Sequence, residues 1–144
     1  GIYVRGGEPT FKRCLFYGNV AEIDGGAVVI NGGRTRMEGC NFSLNAATTN
    51  GGAVSLIKGE LQLVDSFLIT NYAGAFDGGV HSAGGRVSYK NVVEDGNDIG
   101  RHSNTLLQDI QARRQSTLYT SSGFAPQYIY QQPGALELEL DQVP

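Results

Sequence analysis

Three oxygen-bearing side chains precede the glycine pairs that begin successive repeats of this chain, and such side chains could serve acid–base catalysis or bind a cation. They are Asp24, Asn50 and Asp77. Paired carboxylates exchange protons in glycoside cleavage, and carboxylate and amide oxygens bind Ca²⁺. Asp or Asn beside Gly is also typical of a tight turn, because these residues tolerate positive φ. We therefore interpret all three as turn residues, which leaves no predicted catalytic residue and at most a weak calcium site.

The remaining reactive residue types are sparse. His81 and His102 are the two histidines, and neither has a Cys or His at zinc-ligand spacing. We interpret the cluster of acidic residues Glu94, Asp95 and Asp98 as part of a solvated loop. No glycine-rich segment has phosphate-loop spacing. The sequence thus predicts no cofactor and no metal centre.

The sequence repeats with a period of 26 residues. Identical residues recur at this step in several columns: Asn19, Asn45, Asn71, Asn97; Gly7, Gly33, Gly59, Gly85; Ala21, Ala47, Ala73. A period of this size indicates stacked copies of one supersecondary unit. We divide it into a partial rung Gly1–Asp24, two full rungs Gly25–Asn50 and Gly51–Asp77, and a decaying rung from Gly78 to about Asn97.

Each full rung predicts three short strands. A Gly-Gly-Ala-Val turn leads into an apolar run, a second glycine corner follows, and an alternating stretch then ends at the asparagine. Period-two alternation is typical of a strand with one buried face. The outward column Glu8, Arg34, Glu60, Arg86 alternates in sign, which removes like-charge repulsion between stacked neighbours. The predicted fold is all-β, a right-handed parallel β-helix of about three to four rungs.

In such a stack the asparagines would form a structural ladder. Each amide could bond to the same amide one rung away, and Asn tolerates left-handed corners. The cysteines, Cys14 and Cys40, would lie on adjacent rungs, where either a disulfide or two buried free thiols fits. Asn41-Phe42-Ser43 is a glycosylation sequon, and Asn41 should point outward because Cys40 and Phe42 point inward.

The combination of Gly-Gly-Ala-Val with Phe-x-x-Asn resembles a known repeat. The motif reads Phe16-Tyr17-Gly18-Asn19 and Phe42-Ser43-Leu44-Asn45, with Ala two residues after each Asn. It is similar to the repeat of the chlamydial polymorphic outer membrane proteins, and the similarity covers residues 1–97. The resemblance implies a right-handed parallel β-helix and a role in adhesion or surface display rather than catalysis.

Residues 98–144 do not follow the period. A short helix is predicted over residues 104–114, and the extended segment Tyr128, Ile129, Tyr130 could dock a partner protein. Capping of the solenoid and docking onto a partner remain open alternatives for this tail. We interpret residues 1–97 as the repeat domain and 98–144 as a cap or docking tail.

The composition narrows the functional classes. The formal net charge of -3 gives no electrostatic signal for nucleic acid, and no apolar run is long enough to cross a bilayer. We expect a non-enzymatic structural or adhesion segment of a larger extracellular or cell-surface protein, which contacts protein partners or copies of itself. The alternatives are a carbohydrate-active β-helix enzyme or glycan-binding module, and an accessory subunit docked through its tail. The chain is expected to be part of a longer polypeptide.

Overall fold

The computed structural model describes residues 1–100 and shows a parallel β-solenoid of about four coils, as predicted from the period. These residues contain twelve strands and no helix, so none of them forms a helix that could span a membrane. The predicted helix at 104–114 and the predicted docking segment Tyr128, Ile129, Tyr130 lie outside the described residues.

Each coil consists of four strand segments, designated a to d. Coil 1 contains β1 (Ile2–Val4), β2 (Thr10–Lys12), β3 (Leu15–Tyr17) and β4 (Val20–Ala21). Coil 2 contains β5 (Val28–Glu38), which covers segments a and b, then β6 (Asn41–Ser43) and β7 (Ala46–Ala47). Coil 3 contains β8 (Val54–Ile69), which covers a to c, and β9 (Tyr72–Ala73). Coil 4 contains β10 (Val80–Ser82), β11 (Arg86–Asp95) and β12 (Asp98–Ile99).

Neighbouring coils pair in parallel with a register of 26 residues. Phe16 pairs with Phe42, and Phe42 pairs with Leu68. Val28 pairs with Val54, and Val54 pairs with Val80. The register places Asp98 and Ile99 opposite Tyr72 and Ala73, so the last coil runs through the tail boundary predicted at residue 97.

The third coil is one residue shorter than the sequence division implied. Asp24 bridges to Asn50 and Asn50 bridges to Phe76, so Phe76, not Asp77, follows Asn50 in that column. Asp77 instead occupies the column of Gly25 and Gly51 and adopts their left-handed conformation, with φ of 56° against 65° for both glycines. Asp tolerates this conformation better than most residues, which is why the substitution is accommodated. Coil 3 therefore spans 51–76, and the proposed equivalence of Asp24, Asn50 and Asp77 is wrong.

Each coil has four segments rather than the predicted three strands, because the chain also turns between segments b and c. In three of the four coils this corner does not lie at a glycine. Left-handed residues recur between b and c at Arg13, Gly39, Asp65 and Asn91, with φ between 48° and 65°. A second such column separates c from d: Gly18, Leu44, Thr70, Gly96. Because most residues at the first of these corners have side chains, the alternating pattern concealed the bend.

The two glycines of the Gly-Gly motif have different roles. Gly51 has a positive φ, and a Cβ on it would also clash with the carbonyl oxygen of Val54. Gly52 has no positive φ, but a Cβ on it would clash with the carbonyl oxygens of Gly78 and Tyr72 in neighbouring strands. Gly26 faces the same obstruction from the carbonyl oxygen of Gly52. The motif thus leaves no room for a Cβ at either position, and its first glycine also has a left-handed backbone.

Inward side chains of successive coils stack into a continuous core. The rings of Phe16 and Phe42 stack with centroids 4.6 Å apart and planes 3° apart, and Leu68 continues the column. Met37, Leu61 and Leu63 are fully buried. Burial of these inward side chains, rather than local propensity, holds segments b and c in place.

Candidate functional site

The asparagine column forms a continuous hydrogen-bonded ladder along the solenoid. Oδ1 of Asn71 accepts from the backbone N of Asn45 at 3.0 Å and from its Nδ2 at 2.9 Å. Asn19 donates to Asn45 in the same way, and Asn71 donates to Asn97. Nδ2 of Asn45 also donates to the carbonyl of Phe16, so each buried amide is satisfied within the stack. The left-handed residues are those immediately before the asparagines, so the ladder depends on amide pairing rather than on corner conformation.

The two cysteines are free thiols in this structure, and no disulfide joins them. Sγ of Cys14 donates to the carbonyl of Lys12 at 3.4 Å, and Sγ of Cys40 contacts the carbonyls of Phe11 and Glu38. Stacked side chains in a parallel ladder project in the same direction, which holds their Cβ atoms near the strand spacing of about 4.8 Å. A disulfide requires Cβ atoms about 3.5–4.5 Å apart. Burial raises the pKa of the Cys40 thiol and disfavours its reactive thiolate.

The alternating charges line an open groove of about 510 Å³ at the corner between segments a and b. Arg34 pairs with Glu60 and lies 3.9 Å from Glu8, and Nε of Arg86 lies 3.3 Å from Glu60. The side-chain hydrogen bond from Arg34 is the largest cause of a lowered pKa for Glu60. A general acid at neutral pH needs a raised carboxyl pKa, so Glu60 is poorly suited to that role.

The predicted turn carboxylates do not form one site. Backbone N of Asn50 donates to Oδ1 of Asp24 at 3.0 Å, whereas Oδ2 of Asp77 lies 2.7 Å from Nδ1 of His81. His81 also stacks against Phe76, with centroids 6.2 Å apart. Within residues 1–100 no three Asp, Glu, His or Cys side chains converge in a group that could hold a metal ion.

Coil 4 replaces two core positions with polar groups. Glu94 pairs with Leu68, at the end of the phenylalanine column, and Tyr89 pairs with Leu63. Partial burial, followed by repulsion from Asp77, raises the pKa of Glu94. Burial, followed by the carboxylates of Glu94 and Asp77, raises the pKa of Tyr89 to about 12. This end of the described stack is therefore polar where the coils beneath it are apolar.

An exposed apolar column lies on the outer face of segment c. Its members, which we call the contact stripe, are stacked in register across all four coils: Leu15, Asn41, Phe67, Val93. Leu15 is 67%, Phe67 47% and Val93 46% exposed, and Asn41 is exposed between Leu15 and Phe67. Sequence reasoning identified Asn41 as outward but missed the stripe. The same 26-residue count could have revealed it, because Leu15, Phe67 and Val93 are large apolar residues at outward positions.

Comparisons with protein-family models, with curated proteins and with solved structures give no match.

Proposed function

We propose that this chain is a non-enzymatic structural segment that acts by protein contact and associates with copies of itself through the contact stripe. The observation that carries the proposal is the stripe, since Leu15, Phe67 and Val93 expose large apolar side chains in one straight column. Phe67 and Val93 are adjacent in the column, and Asn41 separates them from Leu15. Exposed apolar side chains grouped on one face are typical of interaction sites. A straight column is also self-complementary, because two copies can pair along it about a two-fold axis.

The other surface chemistry supports the same proposal. The charges of the groove are paired with one another between coils, and the amides and thiols bond within the stack. These groups stabilise the solenoid, which leaves the stripe as the outward surface in residues 1–100 with an apolar side chain on three of its four coils. The proposal includes a role in surface display, which is the role implied by the resemblance of the repeat to that of the polymorphic outer membrane proteins.

Sedimentation velocity of the full chain over a range of concentrations tests it. We expect a concentration-dependent oligomer that dissociates in a Phe67→Ser variant. Ile23→Ser is the matched control, because Ile23 is 68% exposed but lies outside the stripe. A chain that stays monomeric, or equal effects of the two substitutions, would contradict the proposal.

The exposed sequon bears on an extracellular or cell-surface location. Asn41 lies in the stripe next to Leu15 and Phe67, so a glycan on it would cover the surface proposed for self-association. Glycosylated protein should therefore be monomeric. The mass of protein from its natural source, before and after enzymatic deglycosylation, reports whether Asn41 is modified.

The groove supports a second candidate, binding of a carbohydrate or another polar polymer. It has an open shape, and its walls carry Glu8, Arg34, Glu60 and Arg86. A ligand there would have to compete with the existing ion pairs. A glycan array probed with the full chain and with Arg34→Ala tests this candidate, which requires binding that is lost in the variant.

A further inference from the structure

Two asparagines are followed directly by glycine, and the solenoid gives them different surroundings. They are Asn31 and Asn50. The side-chain amide of an asparagine before glycine is chemically labile, because no side chain on the glycine hinders attack by its backbone nitrogen. Both asparagines belong to coil 2, which pairs with a described coil on each side, so the comparison does not depend on either end of the stack.

The Asn50-Gly51 step is held in the pairing between coils. The backbone N of Asn50 donates to Oδ1 of Asp24 at 3.0 Å, and the backbone N of Gly51 donates to the carbonyl of Phe76 at 3.0 Å. Oδ1 of Asn50 is itself buried. Attack on this amide requires Gly51 to leave its hydrogen bond and the corner to open, so the fold protects the step.

The Asn31-Gly32 step lies at an irregularity on the surface. The residue pairs between coils 2 and 3 include Asn31 with Lys58 and then resume at Arg34. Gly32 therefore has no partner residue in this register of the described coils, and its φ is 115°. Nδ2 of Asn31 donates to the hydroxyl of Tyr3 at 3.0 Å in an exposed position, so a group leaving from this carbon departs into solvent.

We propose that Asn31 is a site of spontaneous deamidation, a modification in which water is the co-reactant. The backbone N of Gly32 loses its proton and attacks Cγ of Asn31. A C–N bond forms, and Nδ2 leaves as ammonia. Water then opens the succinimide ring to aspartate or isoaspartate, so the net change is hydrolysis of one amide to a carboxylate and ammonium. The inference goes beyond the proposed function, since Asn31 is on segment a and the contact stripe is on segment c.

The surroundings of Asn31 suit the carboxylate that this reaction creates. The hydroxyl of Tyr3 accepts from the amide and can donate to a carboxylate oxygen instead. Lys58 is the register partner of Asn31, and its Cε lies 3.9 Å from the position that a Cβ on Gly32 would occupy. A negative charge at position 31 would thus have a cation on the next coil, and we expect the aspartyl form to stay folded.

Peptide mapping by mass spectrometry compares the two steps in one chain. The full chain is incubated at slightly alkaline pH, either folded or in guanidinium chloride, and trypsin then separates the steps into peptides 14–34 and 37–58. In the folded chain, the mass gain that marks exchange of NH₂ for OH should be about tenfold faster or more on 14–34, because reaction at Asn50 requires local opening. In the unfolded chain the two rates should converge. Asn31→Gln should abolish the fast reaction, since glutamine would have to close a larger ring.

Three outcomes would overturn the assignment of the site. They are no mass gain on 14–34 in the folded chain, equal rates on the two peptides in that chain, and a fast gain that persists in Asn31→Gln. Asn31→Asp tests the product separately, because it introduces the carboxylate directly. Its urea midpoint should equal that of the parent, and a large loss of stability would contradict the fit of the carboxylate to its surroundings.

Discussion

Asn45 and Asn71 are joined by two hydrogen bonds to a single oxygen, since both the backbone N and Nδ2 of Asn45 donate to Oδ1 of Asn71. Both residues are fully buried. One side chain therefore satisfies a backbone donor and an amide donor of the preceding coil. Its own amide also donates to a carbonyl of that preceding coil, as Nδ2 of Asn71 does to the carbonyl of Phe42. This arrangement makes the register between coils specific.

Asn45→Ala should destabilise the solenoid strongly. The change removes the acceptor of two donors from Asn19 and the donor to Phe16. Each buried group left without a partner costs about 1–3 kcal/mol, so we expect a loss of about 3 kcal/mol or more. Urea denaturation measures it. Asn31→Ala is the control, because Asn31 makes an exposed bond to Tyr3, and an equal loss there would contradict the role of burial.

Gly52→Ala and Gly39→Ala should differ in severity although both remove a glycine. The added Cβ at position 52 would overlap two carbonyl oxygens, and that clash should prevent normal packing of coils 3 and 4. At position 39 the nearest atom is Cγ of Arg13 at 3.4 Å, so the cost is that of the left-handed backbone, about 1–2 kcal/mol. Thermal unfolding followed by circular dichroism compares them, and a milder effect at 52 would refute the packing explanation.

Thr35→Val should stabilise the protein. Oγ1 of Thr35 is fully buried and contacts no hydrogen-bond partner within residues 1–100, and its column neighbour is Leu61. Valine has nearly the same shape without the unsatisfied hydroxyl, so a gain of about 1 kcal/mol or more is expected in urea denaturation. Thr35→Ser keeps the hydroxyl and loses a methyl group, and it should destabilise. A loss on Thr35→Val would show that the hydroxyl is satisfied in solution.

Thiol labelling should distinguish the two cysteines. Cys14 is half-buried, whereas Cys40 is fully buried and its thiol pKa is raised. We expect one thiol per native chain to react promptly with a thiol reagent and both to react after unfolding without a reductant. Cys14→Ser should abolish the fast reaction. No labelling of unreduced, unfolded protein would mean that a disulfide forms in solution.

The decrease in the free energy of unfolding at acid pH should depend on Glu60. Its pKa is lowered in the folded state by Arg34, so its contribution is present above the ordinary value of 4.5 and is lost as the pH falls through the lowered value. Glu60→Gln should therefore reduce stability near neutrality and flatten the acid decline. Because the pairs are near the surface, the difference from the parent should shrink at high salt. Glu22→Gln, on an exposed residue, provides the control measured by the same pH series.

The sequence by itself determined the period, the inward and outward positions and the parallel stacking. These features recur in every coil, so several copies of the motif support the same interpretation. The asparagine column of Asn45 and the charge column of Arg34 are examples. Local patterning could not reveal the corner at Arg13, because the alternation of inward and outward residues continues through it. The pairing between coils shows that Arg13 shares a left-handed column with Gly39, Asp65 and Asn91, whose types tolerate that conformation.

The tertiary structure alone decided how the columns align where the motif decays and what lies at their ends. The shift that stacks Phe76 on Asn50 depends on backbone pairing and not on residue similarity. The free thiols follow from parallel Cβ directions, which spacing along the chain does not specify. The 26-residue count places Leu15, Phe67 and Val93 at outward positions of one column, but only the structure shows how far each side chain is exposed. It also shows that Glu94 lies at the end of the described phenylalanine column, since burial and exposure depend on the whole stack.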